Sequence, residues 1–330
     1  MKLMKPMKLM QLAKATAAAS LLSFAAMGSA LAAYPEKPIR LIVPQPAGGF
    51  NDTVARVLSR KLGEAWGQPI VVENLPGAGS QVGTAAAARA PADGYTLLVV
   101  SFAFCTNPSL RKSLPYDTAK AFRPVILLGQ TPNLLVVNPA SPYKSVQDVI
   151  RAAKASPGKL TYASSGPGSS PHLSMELFKS MAGVDLTHVP YKGGAPMATD
   201  LMGGQVDIMF DNTPNLMPYV KSGKMRALGV TSAQRTELAH NVPTIAESGV
   251  PGYEMTAWYG VVAPSGTPDA IVQKLNAEIG KILAQADVKT VFAAQSVAPN
   301  GGTPQVFADF LTKESAKWAK VIKQAGITPD

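Results

Sequence analysis

Three loops rich in glycine hold the residues of this 330-residue chain best suited to binding chemistry. The first is Pro44-Gln45-Pro46-Ala47-Gly48-Gly49-Phe50-Asn51-Asp52. Its prolines stiffen the approach, and Gly48 and Gly49 let a ligand come close to the backbone. The second is Glu73-Asn74-Leu75-Pro76-Gly77-Ala78-Gly79-Ser80, and the third Ser164-Ser165-Gly166-Pro167-Gly168-Ser169-Ser170. Each follows an apolar run and opens an amphipathic one, the order expected of strand, loop and helix. Backbone N–H groups at helix N-termini make a site for anions, and the hydroxyls of the third loop suit a carboxylate better than a metal. A tight turn with ordinary capping would account for any one loop alone. Three at equivalent places favour a binding site.

Other chemistries lack their constellations. Gly77, Gly79 and Gly83 resemble a dinucleotide fingerprint, but Val82 stands where its third glycine belongs, and no acidic residue follows at the required distance. There is no Walker A loop and no His-Glu-x-x-His. His172, His188 and His240 lie apart in sequence without metal spacing and are read as structural or surface residues. Ser80 is not framed by the glycines of a nucleophile elbow. Asp207 and Asp211 flank one strand-like run; alternation puts both on one face, with Asp207 capping a turn and Asp211 able to reach a cleft. The expectation is a binding protein: no enzyme, no cofactor, no metal.

The elements that must position these loops alternate in an α/β pattern. Strands are expected at Ile39–Val43, Pro69–Glu73, Thr96–Ser101, Val125–Leu128, Leu134–Val137, Thr161–Ala163, Leu186–Val189, Ile208–Phe210 and Ala227–Val230. Val54, Val57, Leu58 and Leu62 recur at helical spacing after Asn51 or Asp52 as N-cap. A second series starts at Ser145. After Trp258–Val262 the chain is expected to be helical to its end, with core stripes through Ile271, Leu275 and Ile279 and through Phe307, Trp318 and Val321. That tail needs a partner surface, and packing back on the first series would make a discontinuous domain.

Residues 1–32 read as a signal peptide: Lys2, Lys5, Lys8 and Lys14, then a short apolar stretch, then Ala30-Leu31-Ala32. The apolar part is short for a membrane span. Cleavage is expected after Ala32, or after the neighbouring Ala33, and export to the periplasm follows. Loss of the four lysines takes the formal charge from +10 to +6. The remaining basic residues are scattered, which argues against nucleic acid as a partner. Cys105 is the single cysteine, so no intrachain disulfide can form.

The mature chain resembles the substrate-binding proteins of tripartite tricarboxylate transporters, the Bug family. The resemblance rests on Val43 through Asp52, Val72-Glu73-Asn74 with Pro76-Gly77-Ala78-Gly79, and Ala92-Asp93-Gly94-Tyr95. It continues through Ser164-Ser165-Gly166 with His172-Leu173, Pro190-Tyr191-Lys192-Gly193-Gly194 and Trp258-Tyr259-Gly260. It implies an α/β periplasmic binding protein fold, type II-like, with two lobes around a ligand cleft. Residues 33–135 and 253–330 would form lobe 1 and residues 136–252 lobe 2. It further implies a small organic anion as ligand, a di- or tricarboxylate or an aromatic acid, held without an arginine. Ala47, Gly48, Gly49, Asp52, Asn74, Gly79, Ser80 and Ser101 would meet it from lobe 1. Ser164, Ser165, Gly168, Ser169, Ser170, Tyr191, Asp211 and Asn212 would meet it from lobe 2. The implied partners are the transporter's membrane subunits, approached by a monomer; presenting the ligand to a sensor kinase is the alternative. Phe102 or Phe104 facing the cleft would favour an aromatic acid, although packing in the core is expected of both, and Phe50 raises the same question. Asp211 in the cleft would repel a second carboxylate and instead read an amine, a hydroxyl or a protonated group.

Overall fold

The structure, a computed structural model, describes residues 34–327, so the expected signal segment lies outside the described residues. Strand β1 (Ile39–Val43) is an unbroken apolar run but for Arg40, with Ile39, Leu41, Ile42 and Val43 all buried. Burial on both faces is what a central parallel strand requires. It pairs in parallel with β2 (Ile70–Asn74) and β3 (Thr96–Ser101). Helix α1 (Phe50–Trp66) turns Val54, Ala55, Leu58 and Leu62 inward and ends on left-handed Gly67, whose N–H donates to the Gly63 carbonyl. Its N-cap is Gly49, not Asn51 or Asp52, and no side chain caps it. Helix α2 (Gln81–Ala88) lies so close to the first loop that a methyl group on Gly83 would sit 2.8 Å from both Pro44 Cβ and the Leu75 carbonyl oxygen. Glycine there lets the first two loops pack side by side.

A short helix α3 (Ala103–Leu110) follows β3, with Pro108 inside it. The two strands expected at 125–128 and 134–137 are one, β4 (Phe122–Val137). Gly129 to Asn133 read as a break because they lack apolar alternation. The strand continues through them because its partners change along its length. Phe122 to Pro132 pair with β9 (Thr256–Pro264), and Asn133 to Val137 pair with β7 (Ile208–Asn212) and β8 (Arg226–Val230). Register shifts near Pro124 and Leu127 absorb the irregularity.

Beyond β4 come α4 (Val146–Ala155), β5 (Thr161–Ser164), α5 (Ser170–Ala182), β6 (Thr187–Pro190), α6 (Gly194–Met202), β7, α7 (Thr213–Lys221) and β8. Then β9 leads to α8 (Asp269–Ala284), α9 (Ala286–Ala294), β10 (Ala298–Gly301) and α10 (Pro304–Gln324). The tail is therefore not wholly helical: β10 interrupts it and pairs antiparallel with β4. The strand path is β2-β1-β3-β9-β4-β7-β5-β6, giving two α/β lobes that share β4. Phe102 and Phe104 lie in the core, where Phe102 meets Trp318 edge-on at 4.9 Å and Phe104 meets Phe122 at 5.4 Å. No helix among the described residues is long and apolar enough to cross a membrane.

Candidate functional site

The first two loops leave the carboxyl ends of β1 and β2 and are bound into one polar assembly. Asp52, in the first turn of α1, is buried and accepts from the Gly48 N–H (3.0 Å), Arg56 Nε (2.9 Å) and Asn74 Nδ2 (3.1 Å). Arg56 beside it, with Gly48 and Asn74, holds its carboxyl below the usual range against the opposing effect of burial. Gln45 Nε2 donates to Ser80 Oγ (3.0 Å) and Ser101 Oγ (3.2 Å), joining the first loop to the second and to the end of β3. Ala78 (φ 46°), Gly79 (φ 62°) and Ser80 (φ 78°) are left-handed in succession. For alanine and serine this costs on the order of 1–3 kcal/mol each, and such strain gathers where a loop serves a ligand. Asn107 holds the turn by donating to the Gly79 carbonyl at 2.8 Å, and Thr84 by donating to that of Ser80 at 2.7 Å.

The third loop faces this assembly, for Leu110 at the end of α3 lies against Gly168. A Cβ on Gly168 would come within 2.3 Å of Leu110 Cδ1. Ser164 is fully buried behind the loop; its Oγ accepts the Gly166 N–H and lies 2.6 Å from His188 Nε2. Ser169 caps α5 by accepting the His172 N–H, and donates to the Gly166 carbonyl at 2.6 Å. Ser170 Oγ accepts from Asn133 Nδ2 at 2.9 Å, which ties the loop to the residue where β4 changes partners. The half-buried Ser165 hydroxyl is taken up by none of these bonds. Tyr191 turns its hydroxyl onto Asp200 Oδ2 (2.7 Å), and Lys192 is exposed.

Asp211, at the carboxyl end of β7, is buried and accepts from the Asn212 N–H (2.8 Å) and Asn215 Nδ2 (3.1 Å). Burial pushes its carboxyl above the usual range. It borders a cavity of about 330 Å³ between the starts of α6 and α7. Asp207 was expected to cap a turn; instead it accepts from the Thr161 N–H (2.7 Å) and hydroxyl (2.8 Å), fastening the entry of β7 to the start of β5.

Two residues had no role assigned from sequence. Gln45 links the loops alongside the Asn74–Asp52 bond, and a polar side chain between two prolines at a strand end was the available signal. Tyr259 on β9 pairs with Ser101 across the sheet and packs on Phe50 with ring centroids 4.5 Å apart. Burial, and then the charge of Asp211, push its hydroxyl up to about 12. Four buried amide oxygens have no partner around these loops: Gln45 Oε1, Asn51 Oδ1, Asn133 Oδ1 and Asn212 Oδ1. Depressions of about 560 Å³ beside Met181 and 430 Å³ beside Phe122 are larger, but neither lies where the three loops meet. Two of the histidines take the structural role expected of them. Although 16 residues separate them, His172 and His188 stack with ring centroids 4.3 Å apart.

Two lobes whose strand ends and helix starts face one another define a solute-binding protein. Residues 54–327 match the family described as the tripartite tricarboxylate transporter family receptor, and the chain belongs to that family. Protein BugT of Bordetella pertussis is 40% identical over 295 residues, covering 89% of this chain and 90% of that protein. The structure titled R. palustris Rpa4515 with adipate is similar at a TM-score of 0.77 and 40% identity, over 90% of this chain and 100% of that one. MatC from Rhodopseudomonas palustris with bound malate gives 0.73 and 34%, over 88% and 100%. The chain is thus a solute receptor and not an enzyme.

Proposed function

We propose that this receptor captures a small organic dicarboxylate between its lobes and delivers it to the membrane subunits of a tripartite tricarboxylate transporter. It acts as a monomer in the periplasm, after export directed by residues 1–32. Lobe 1 is 33–135 with 253–330, and lobe 2 is 136–252, close to where β4 exchanges β9 for β7. The observation that carries the reading is the Gln45 linkage. One side chain joins two loops and a strand end, and its other amide atom is buried without a partner. Buried polar atoms in a native site call for a ligand or its bound water. Rotating the amide would let both serines donate to the oxygen and aim an NH₂ donor at a carboxylate.

The ligand's charge is then met by neutral donors: the loop N–H groups, Ser165 Oγ and Tyr259 Oη. The Tyr259 phenol stays protonated at any physiological pH. Such convergent donors replace the water that a carboxylate loses on entry. The bound adipate and malate of the two relatives support a ligand of this class for this chain. Asp211 gives its oxygens to the Asn212 N–H and Asn215 Nδ2, and burial raises its carboxyl, both of which lessen its repulsion of a second carboxylate. Ligand touching both lobes stabilises the closed arrangement by its differential affinity.

A thermal-shift panel of C4 to C6 dicarboxylates, amino dicarboxylates and aromatic acids checks the reading. At least one dicarboxylate at 100 times its Kd should stabilise the protein by about 2.7 kcal/mol, several degrees in Tm. A panel in which no organic anion raises Tm would overturn the assignment.

A further inference from the structure

The stacked imidazoles of lobe 2 lie outside the polar assembly described above, yet both touch the third loop. We propose that His172, backed by His188, is a positioning residue that pins this loop in its ligand-ready shape as a neutral imidazole protonated on Nε2. The proposal rests on reading Ser164–Ser170 as a ligand loop. Its basis is a hydrogen bond of fixed sense. The Gly168 N–H can only donate, and it points at His172 Nδ1 from 3.0 Å, so Nδ1 carries no proton. His188 Nε2 holds the other end of the loop through Ser164 Oγ. The two rings stack within 20° of parallel, and the Tyr162 ring of β5 lies roughly parallel to both, 4.8 Å from His188 and 6.3 Å from His172.

The charged neighbours oppose one another: the Glu176 carboxylate favours an imidazolium and the Lys179 ammonium disfavours it. Glu176 on α5 accepts from Tyr162 Oη and from Lys179 Nζ (3.0 Å), and lies 4.0 Å from His172 Nε2, beyond hydrogen-bond reach. Lys179 also approaches Asp185 at 3.8 Å. Two stacked imidazoles cannot both ionise without strong repulsion. Burial, then His188 and Lys179, lower His172 to about 3. The sign follows: the stability gained from neutral His172 is full above the unfolded value of about 6.5 and is lost as the pH falls toward the folded value. The loop stays pinned through mild acid.

The test uses the full mature chain with adipate as probe, together with ¹⁵N spectra of the histidine rings and amide exchange at Gly168 without ligand. At pH 5 the His172 ring should be neutral and protonated on Nε2, and adipate Kd should change less than about threefold between pH 8 and 6, where the ligand stays a dianion but an ordinary imidazole would gain a proton. His172→Leu removes the acceptor and should raise Kd about tenfold and speed Gly168 exchange, while His172→Gln, which keeps an acceptor, should stay within about threefold of wild type. A charged ring at pH 5, a proton on Nδ1, or unchanged Gly168 exchange in His172→Leu would each overturn the positioning role. Should the wild type fail to bind adipate, the dicarboxylate reading fails for that probe, and the ring spectra and Gly168 exchange still decide the role of His172. If His172→Leu does not fold, the ring spectra of the wild type and the affinity of His172→Gln carry the decision.

Discussion

Asp52→Ala is expected to raise the Kd of a bound dicarboxylate about 100-fold while leaving a folded protein. The carboxylate does not reach for ligand with a free oxygen, because both oxygens are taken by Gly48, Arg56 and Asn74. Its removal frees the left-handed Gly48 and takes one of the partners of Asn74, which keeps the Gln45 carbonyl and Arg56. Each part-buried donor left unpaired costs about 1–3 kcal/mol, and 1.4 kcal/mol is tenfold in affinity. Asp52→Asn keeps one acceptor and should lose about tenfold. Arg56, Gly48 and Asn74 hold Asp52 below the usual range, so its stabilisation is full above about pH 4 and is lost as the pH falls through the depressed value. Calorimetric titration with adipate compares the three proteins. Wild-type affinity in Asp52→Ala would show that the first loop is not ordered by this group.

The next largest effect is expected at Gly168→Ala, about 30-fold in Kd. The residue is left-handed at φ 74°, where a side chain is strained by about 1 kcal/mol, and its new methyl would press on Leu110 of the other lobe. The second contribution exists only when the lobes are together, so it falls on closure and thus on binding. Leu110→Ala in the same chain should restore about half of the lost binding free energy, leaving the backbone part uncorrected. A double-mutant cycle by titration measures that coupling. Strict additivity of the two substitutions would mean that Leu110 and Gly168 do not meet in the bound state.

Much of the fold was legible because β1 and β3 are apolar runs with clear ends, and because Ile271, Leu275 and Ile279 repeat at helical spacing. What hid was decided by long-range pairing. The polar stretch through Gly129 and Asn133 stays a strand because β9 and then β7 supply its hydrogen bonds. Helix α3 was masked by Pro108, and β10 by its run of Pro299, Asn300 and Gly301. At the site, the three loops were readable from glycine and serine at strand ends. Direction was not: nothing in the sequence turns Tyr191 onto Asp200 or sets Ser164 behind its loop. The pairing of His172 with His188 depends on α5 packing over β5 and β6, a contact that spacing along the chain cannot express.

On the proposed reading, the cleft recognises the charge of a carboxylate and not merely the shape of a small molecule. Isothermal titration of the mature protein with adipate and with its uncharged diamide, equal in length, tests it most directly. The diacid should bind 1:1, with the diamide at least about 100-fold weaker. Equal affinity for the two, or tighter binding of the diamide, would contradict it.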